Sequence, residues 1–126
     1  NAVRNATAEQ RVSLQARHGM RNKHLARAIQ RMHDAIEEPV SPAIIADEIG
    51  ISTRQLERLF GKFLNCSPKK YYVEIRLERA RHLLLQTEGS VTEISLACGF
   101  ESAGHFSRVY RAAFGVTPSV QRSRLN

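Results

Sequence analysis

No stretch of this sequence approaches the roughly 18 consecutive apolar residues of a membrane-spanning helix, and no basic start followed by an apolar block marks a secretory leader. A cytoplasmic protein without a membrane partner is therefore expected. Cysteine is scarce: Cys66 and Cys98 stand alone, with no second Cys and no paired His at metal-ligand spacing. Both read as small core residues in a reducing compartment, and no metal or other cofactor is expected. His18, His24, His33, His82 and His105 are scattered, without an evident nucleophile or metal set. Catalysis is thus not expected of this chain. Convincing β-strand alternation is also missing, so the fold class is all-α.

What is present is positive charge. Lys and Arg outnumber Asp and Glu by 19 to 12, giving +7 and a pI near 10.1, a field that attracts polyanions. Nucleic acid is the first partner to consider, although anionic lipid or an acidic protein would answer to the same charge. Apolar residues at 42% place the chain among folded proteins. At 126 residues it holds one domain, in one or two lobes, with little room for a ligand cavity as well. Residues 1–21 carry Arg4, Arg11, Arg17 and Arg21 among few large apolar side chains and read as a basic, partly mobile linker. The chain opens on Asn, so Asn1 and Ala2 read as a cloning remnant, and a preceding effector or dimerisation domain is expected.

Helix signals punctuate the rest. Ser41-Pro42, Ser67-Pro68 and Thr117-Pro118 each pair an N-cap acceptor with proline at the first helical position, where its missing N–H costs nothing. Ser52 with Gln55 and Ser90 with Glu93 fit the reciprocal capping box, and Ser102 is a further N-cap. Gly50, Gly89, Gly99 and Gly115 sit where a helix end wants positive φ. Leu25, Ile29, Met32 and Ile36 form the stripe of a first helix over about residues 22–37, stopped by Glu38-Pro39. Val73, Leu77, Ala80 and Leu84 form another on a connector over about 68–87, whose remaining faces carry Lys69, Lys70, Arg76, Arg79 and Arg81.

Laid on itself, the sequence repeats. STRQLERLFGKFLNCSP (52–68) matches SAGHFSRVYRAAFGVTP (102–118) at an offset of 50, pairing Leu56 with Phe106, Phe60 with Tyr110 and Ser67-Pro68 with Thr117-Pro118. Upstream the offset is 49, pairing Ile45 with Ile94 and Gly50 with Gly99, so the second turn is one residue longer. Each copy reads as a short helix ending at Gly, a turn with one apolar plug (Ile51 or Phe100), a capping Ser and a longer helix. This is the helix-turn-helix plan, with small Ala46 and Ser95 letting the paired helices approach. The units are expected at 41–65 and 90–115.

These segments, SPAIIADEIGISTRQLERLF, YYVEIRLERARHLLL and VTEISLACGFESAGHFSRVYRAAFGVTP, resemble the DNA-binding domain of the AraC/XylS family of bacterial transcription regulators over residues 22–122. The segment RHGMRNKHLARAIQRMHDAIEEPVS is similar to the junction in members with an amino-terminal domain like a class-I glutamine amidotransferase. The resemblance implies a double-stranded DNA operator as partner, and an activator that contacts RNA polymerase. A DNA-binding appendage of a repair enzyme, and a basic helical module for protein or RNA, are the alternative readings.

Periodicity turns Leu56, Leu59, Phe60 and Phe63 inward and leaves Thr53, Arg54, Glu57, Arg58 and Gly61 outward. In the second copy Phe106, Val109, Tyr110 and Ala113 turn inward, leaving Ala103, Gly104, Ser107, Arg108 and Arg111 outward and His105 near the edge. Carried over from the family, base reading falls on Arg54, Glu57 and Arg58, and on Ala103, Gly104, Ser107 and Arg108, with Thr53 and His105 beside them as further base-reading candidates. Arg54 or Arg58 suits guanine O6 and N7, and Glu57 suits cytosine N4. A surface ion pair between Arg58 and a carboxylate such as Glu57 is the competing reading. Ala103 and Gly104 are small where the family often has longer polar side chains, which favours thymine-methyl contact or close backbone approach there. Ser41, Ser52, Ser90, Thr92 and Ser102 at helix starts, with Lys69 and Arg111, are candidate phosphate contacts, although each hydroxyl is equally explained as a cap. The connector of about 19 residues would span roughly 28 Å, allowing two recognition helices to enter successive major grooves on one DNA face.

Overall fold

Local capping chemistry decides where nearly every helix starts. The computed structural model describes residues 22–124, and the expected basic linker at 1–21 lies outside them. Seven helices and no strand occur among the described residues: α1 Lys23–Asp34, α2 Pro42–Ile49, α3 Thr53–Leu64, α4 Pro68–Gln86, α5 Val91–Ala97, α6 Ala103–Phe114 and α7 Pro118–Ser123. The Asn22 side chain accepts from the Leu25 N–H, a cap that the serine and threonine pattern passed over. Ser41, Ser67 and Thr117 accept from the N–H groups of Ile44, Lys70 and Val120 at 3.3, 3.1 and 3.2 Å. Both capping boxes close: Ser52 accepts from Gln55 N–H at 3.0 Å while Gln55 accepts from Ser52 N–H at 2.9 Å, and Ser90 with Glu93 repeats this at the same distances. That bond from the Ser90 backbone also holds the Glu93 carboxyl below its ordinary pKa.

The repeat is visible in the backbone hydrogen bonds of the two turns. Gly50 and Ile51 donate to Asp47 and Ala46, and Gly99 and Phe100 donate to Leu96 and Ser95, all at 2.9–3.2 Å. Each is a Schellman ending with glycine at positive φ, 81° at Gly50 and 82° at Gly99. Ala46 and Ser95 are buried beneath these turns, and Ser95 satisfies its hydroxyl on the Thr92 carbonyl at 2.8 Å.

The described residues divide into two compact units, 22–35 with 39–75, and 36–38 with 76–124. In the first, Leu25, Ala28, Ile29, Met32, Ile45, Leu56, Phe60, Leu64, Tyr71 and Ile75 are buried. In the second, Leu77, Ala80, Leu84, Ile94, Cys98, Phe100, Phe106 and Tyr110 are buried. Because each half of α4 furnishes the core of a different unit, no single stripe runs along it. Tyr71, Tyr72 and Ile75 are buried, whereas Val73 of the expected stripe is half-covered.

The same strap closes both units. Tyr72 Oη donates to the Ala35 carbonyl at 2.5 Å and accepts from the Val40 N–H at 3.2 Å. Arg122, its counterpart 50 residues on, donates to the carbonyls of Leu84, Thr87 and Gly89. In each unit the strap ties the end of one helix to the residue before the next N-cap, Val40 before Ser41 and Gly89 before Ser90.

These bonds correct three expectations. The first helix stops at Asp34, not near residue 37, because Ala35 leaves the helical region (φ −129°, ψ 62°) and offers its carbonyl to Tyr72. Ile36 therefore lies outside α1, and Pro39 is not the stop. Gly89 is absent from the positive-φ glycines and ends no helix; its carbonyl is a strap acceptor, while Asn65 (φ 56°) is the unforeseen left-handed C-cap of α3. Cys66 is half-covered and does not belong to the core, whereas Cys98 is fully buried; neither forms a disulfide.

Burial pushes the Cys98 thiol up to about 11 and the Tyr110 phenol up to about 12, from ordinary values of 9.0 and 10.0. Raised folded values mean that the unfolded chain ionises first, so this stability is present below about pH 9 and is lost as pH rises through about 9–12. The melting temperature should fall over that window. Replacing Cys98 with Ala should flatten its lower part, and an unchanged slope would remove Cys98 from the account.

Candidate nucleic-acid interface

Helix α3 presents its outer face because its inner one is spent on the core. Leu56, Phe60 and Leu64 are buried, Leu59 and Phe63 are half-covered, and Thr53, Arg54, Glu57, Arg58 and Gly61 are all exposed. The two-turn row of Arg54, Glu57, Arg58 and Gly61 is thus a polar ridge on a helix whose first turn is fixed by a capping box. Among the described residues no ion pair engages Arg54, Glu57 or Arg58, so the expected competitor, Arg58 tied to Glu57, does not form. An ion pair does form elsewhere, between Arg31 and Glu48, at 2.7 and 3.3 Å. It raises the Arg31 pKa and lowers that of Glu48.

Gly61 has no packing reason to be glycine. A Cβ there would meet nothing within 4 Å, and its φ is not in the left-handed region. Gly61→Ala should therefore stabilise the fold by about 1 kcal/mol through helix propensity alone. The check is a melting temperature a few degrees higher, and no rise would point to strain at that site.

Helix α6 repeats the arrangement with smaller groups. Phe106 and Tyr110 are buried; Gly104, His105, Arg108 and Arg111 are exposed, while Ala103 and Ser107 are half-covered. His105, expected at the edge, is more exposed than Ser107, and its ring lies 6.3 Å from that of Phe100. Arg108 lies back along the helix, with Nη1 only 3.8 Å from where a Gly104 Cβ would stand. The bare backbone at Gly104 thus borders the guanidinium that follows it by one turn.

The N-cap hydroxyls of Ser41, Ser52, Ser90 and Ser102 are exposed, and each accepts from its own helix. An accepting hydroxyl keeps its hydrogen to donate, so capping and phosphate contact are compatible roles for one group. Thr92 is exposed in the first turn of α5, and Lys69 is exposed in the first turn of α4. Arg111 occupies in α6 the place of Gly61 in α3, so that position is cationic in one unit only.

Sequence alone makes Arg76 one more surface cation of the connector, and the structure corrects this. Its Nε and Nη2 donate to the Cys98 and Gly99 carbonyls at 2.9 and 2.7 Å, and its guanidinium lies 4.4 Å from the Phe100 ring. No sequence signal marks this, since the partners lie 22 and 23 residues away. No helix of the described residues is long and apolar enough to cross a membrane, and no cluster of His, Cys, Asp and Glu among them could hold a metal ion.

Comparison with known proteins agrees with this geometry. A helix-turn-helix domain family matches residues 45–124. The chain is 44% identical over 122 residues to the HTH-type transcriptional regulator ArgR of Pseudomonas aeruginosa, covering 97% of itself and 37% of ArgR. It is 39% identical over 87 residues to the HTH-type transcriptional activator RhaS of Escherichia fergusonii, covering 69% of itself and 31% of RhaS. The chain thus spans about a third of the length of these curated relatives. A crystal structure of a transcriptional regulator with an AraC-type DNA-binding domain, from Chromobacterium violaceum, superposes with a TM-score of 0.77 at 50% identity, over 80% of this chain and 90% of that one. Doubled helix-turn-helix units, an uninterrupted family match and this superposition have one meaning: the chain belongs to the AraC family of transcription regulators, as its helix-turn-helix DNA-binding domain.

Proposed function

We propose that this domain binds double-stranded DNA in a sequence-specific manner, with α3 and α6 each entering a major groove. The observation that carries the proposal is the exposed ridge of Arg54, Glu57 and Arg58, without an ion pair among the described residues, on a helix anchored by buried residues on its other side. A fork of guanidinium donors reads guanine, and a carboxylate between two such forks reads cytosine or orients its neighbours. In α6, His105, Ser107 and Arg108 supply the polar groups, while Ala103 and Gly104 favour thymine methyl groups and close backbone approach. Ser41, Ser52, Ser90, Thr92 and Ser102, with Lys69 and Arg111, contact phosphates and set register without reading sequence.

The whole protein acts as a bacterial transcription regulator in the cytoplasm. It activates through contact with RNA polymerase and receives its signal through an amino-terminal domain, of the amidotransferase-like kind suggested by the junction segment. The names of ArgR and RhaS support a regulatory role, and that of RhaS supports activation.

The test begins by selecting bound duplexes from a random library. Arg58→Ala and Arg108→Ala should each lower preference for the selected duplex over random duplex by about 1–3 kcal/mol. Lys69→Ala should weaken binding to both alike. Equal losses on selected and random DNA for all three would remove base reading from these arginines.

A further inference from the structure

We propose that Arg76, a residue of α4 far in sequence from the second recognition helix, is the positioning residue of that helix. The inference rests on the reading of α6 as a DNA-contacting element. The turn before α6 is one residue longer than its counterpart before α3, Glu101 being the insertion between Phe100 and Ser102. A longer turn carries more conformational freedom, and α6 has only a one-way cap: Ser102 accepts from His105 N–H at 3.1 Å, with histidine where α3 and α5 have the Gln55 or Glu93 that bonds back. The start of α6 is thus held more weakly by local chemistry than that of α3 or α5.

Arg76 supplies a hold from outside the turn. Its fork takes two successive turn carbonyls, those of Cys98 and Gly99. These are charge-assisted bonds, stronger than neutral ones. Its guanidinium face covers the Phe100 ring at 4.4 Å, and that ring in turn packs 5.1 Å from Phe106, the first buried anchor of α6. A continuous path of contacts therefore runs from Arg76 through Phe100 to Phe106, and opposite Phe106 on α6 lie Gly104 and Arg108. Only a planar fork satisfies both carbonyls and stacks on the ring; lysine offers a single compact ammonium.

The test compares the parent chain with Arg76→Met, which keeps an apolar stem, and Arg76→Lys, which keeps the charge. Amide hydrogen exchange is followed over residues 100–108 and, as an internal control, over 51–58. Binding is measured on the selected duplex and on versions altered in one half at a time, the half belonging to α6 being the one to which Arg108→Ala is sensitive. Arg76→Met should speed exchange around residues 100–106 by roughly tenfold, the equivalent of about one charge-assisted hydrogen bond, and leave 51–58 unchanged. It should also cut discrimination in the α6 half by roughly tenfold, with the other half within about twofold, and Arg76→Lys should recover part of both losses.

Unchanged exchange around 100–106, or equal acceleration in both segments, overturns the positioning role whether or not DNA is bound. Local acceleration with no change in α6-half discrimination also overturns it. If the parent chain discriminates no duplex at all, the DNA reading itself fails, while the exchange result still decides whether Arg76 holds the turn.

Discussion

Raising monovalent salt from about 50 to about 200 mM is expected to weaken binding to duplex DNA by roughly a thousandfold. The size of the effect depends on which cations are available. Of the 19 lysines and arginines, some are committed to bonds within the protein: Arg76 holds the Gly99 turn, Arg122 straps the second unit and Arg31 pairs with Glu48. Arg54, Arg58, Lys62, Lys69, Lys70, Arg108 and Arg111 are among the described cations that remain exposed. If about six of these neutralise phosphates, the logarithm of the binding constant should fall by about five per tenfold rise in salt, since each neutralised phosphate releases close to one counterion. The slope is measured by titrating labelled duplex at several salt concentrations. Removing one phosphate contact, as in Lys69→Ala, should make the slope shallower by about one. A slope shallower than about two would mean that these side chains do not face the backbone together, and the proposed interface would fail with it.

This division between free and committed arginines is what the sequence could not supply. Capping is legible because it is chemistry between residues three apart: Ser52 and Gln55, or Ser90 and Glu93, announce their bonds in one reading. The outer and inner faces of α3 are legible for a similar reason, since Leu56 and Phe60 are one turn apart and define a side. The repeat is legible as a self-match, and it locates both turns. The strap bonds of Tyr72 and Arg122 and the clamp of Arg76 join residues 22 to 38 positions apart. Nothing in a helical arginine's neighbours tells whether it meets solvent or a distant carbonyl. The early end of α1 belongs to the same class, because it follows from Tyr72 and not from Pro39. At the candidate site, the exposure of Arg54, Glu57 and Arg58 follows from periodicity. The half-covered state of Ala103 and Ser107 depends on how α6 lies in its unit, which no single stripe encodes.

The other large effect concerns the core that holds α3 in place. Phe60→Ala should destabilise the domain by about 3–5 kcal/mol, the cost of a buried aromatic ring and the cavity left behind. Phe60 is fully buried and meets the Tyr71 ring edge-on, with centroids 5.5 Å apart, so its loss also removes an aromatic pair. Against a total stability of about 5–15 kcal/mol, a loss of this size brings the protein close to unfolding. Urea denaturation followed by helical circular dichroism gives the number. Arg58→Ala, on the exposed side of the same helix, should move the midpoint little and the DNA preference much. A Phe60→Ala loss under about 1 kcal/mol would show that the ring does not support the core. The repeat offers a sharper version of the experiment. Position 60 corresponds to Tyr110 and position 71 to Gln121, and in the second unit Tyr110 donates its hydroxyl to the Gln121 side chain. Phe60→Tyr alone buries a hydroxyl against an aromatic ring and should cost about 1–3 kcal/mol for an unsatisfied donor. Adding Tyr71→Gln restores the acceptor that the second unit uses. The double variant should therefore be more stable than the sum of the two single changes allows. A coupling energy of zero would mean that the two units share a sequence pattern at these positions without sharing the geometry that makes the pair.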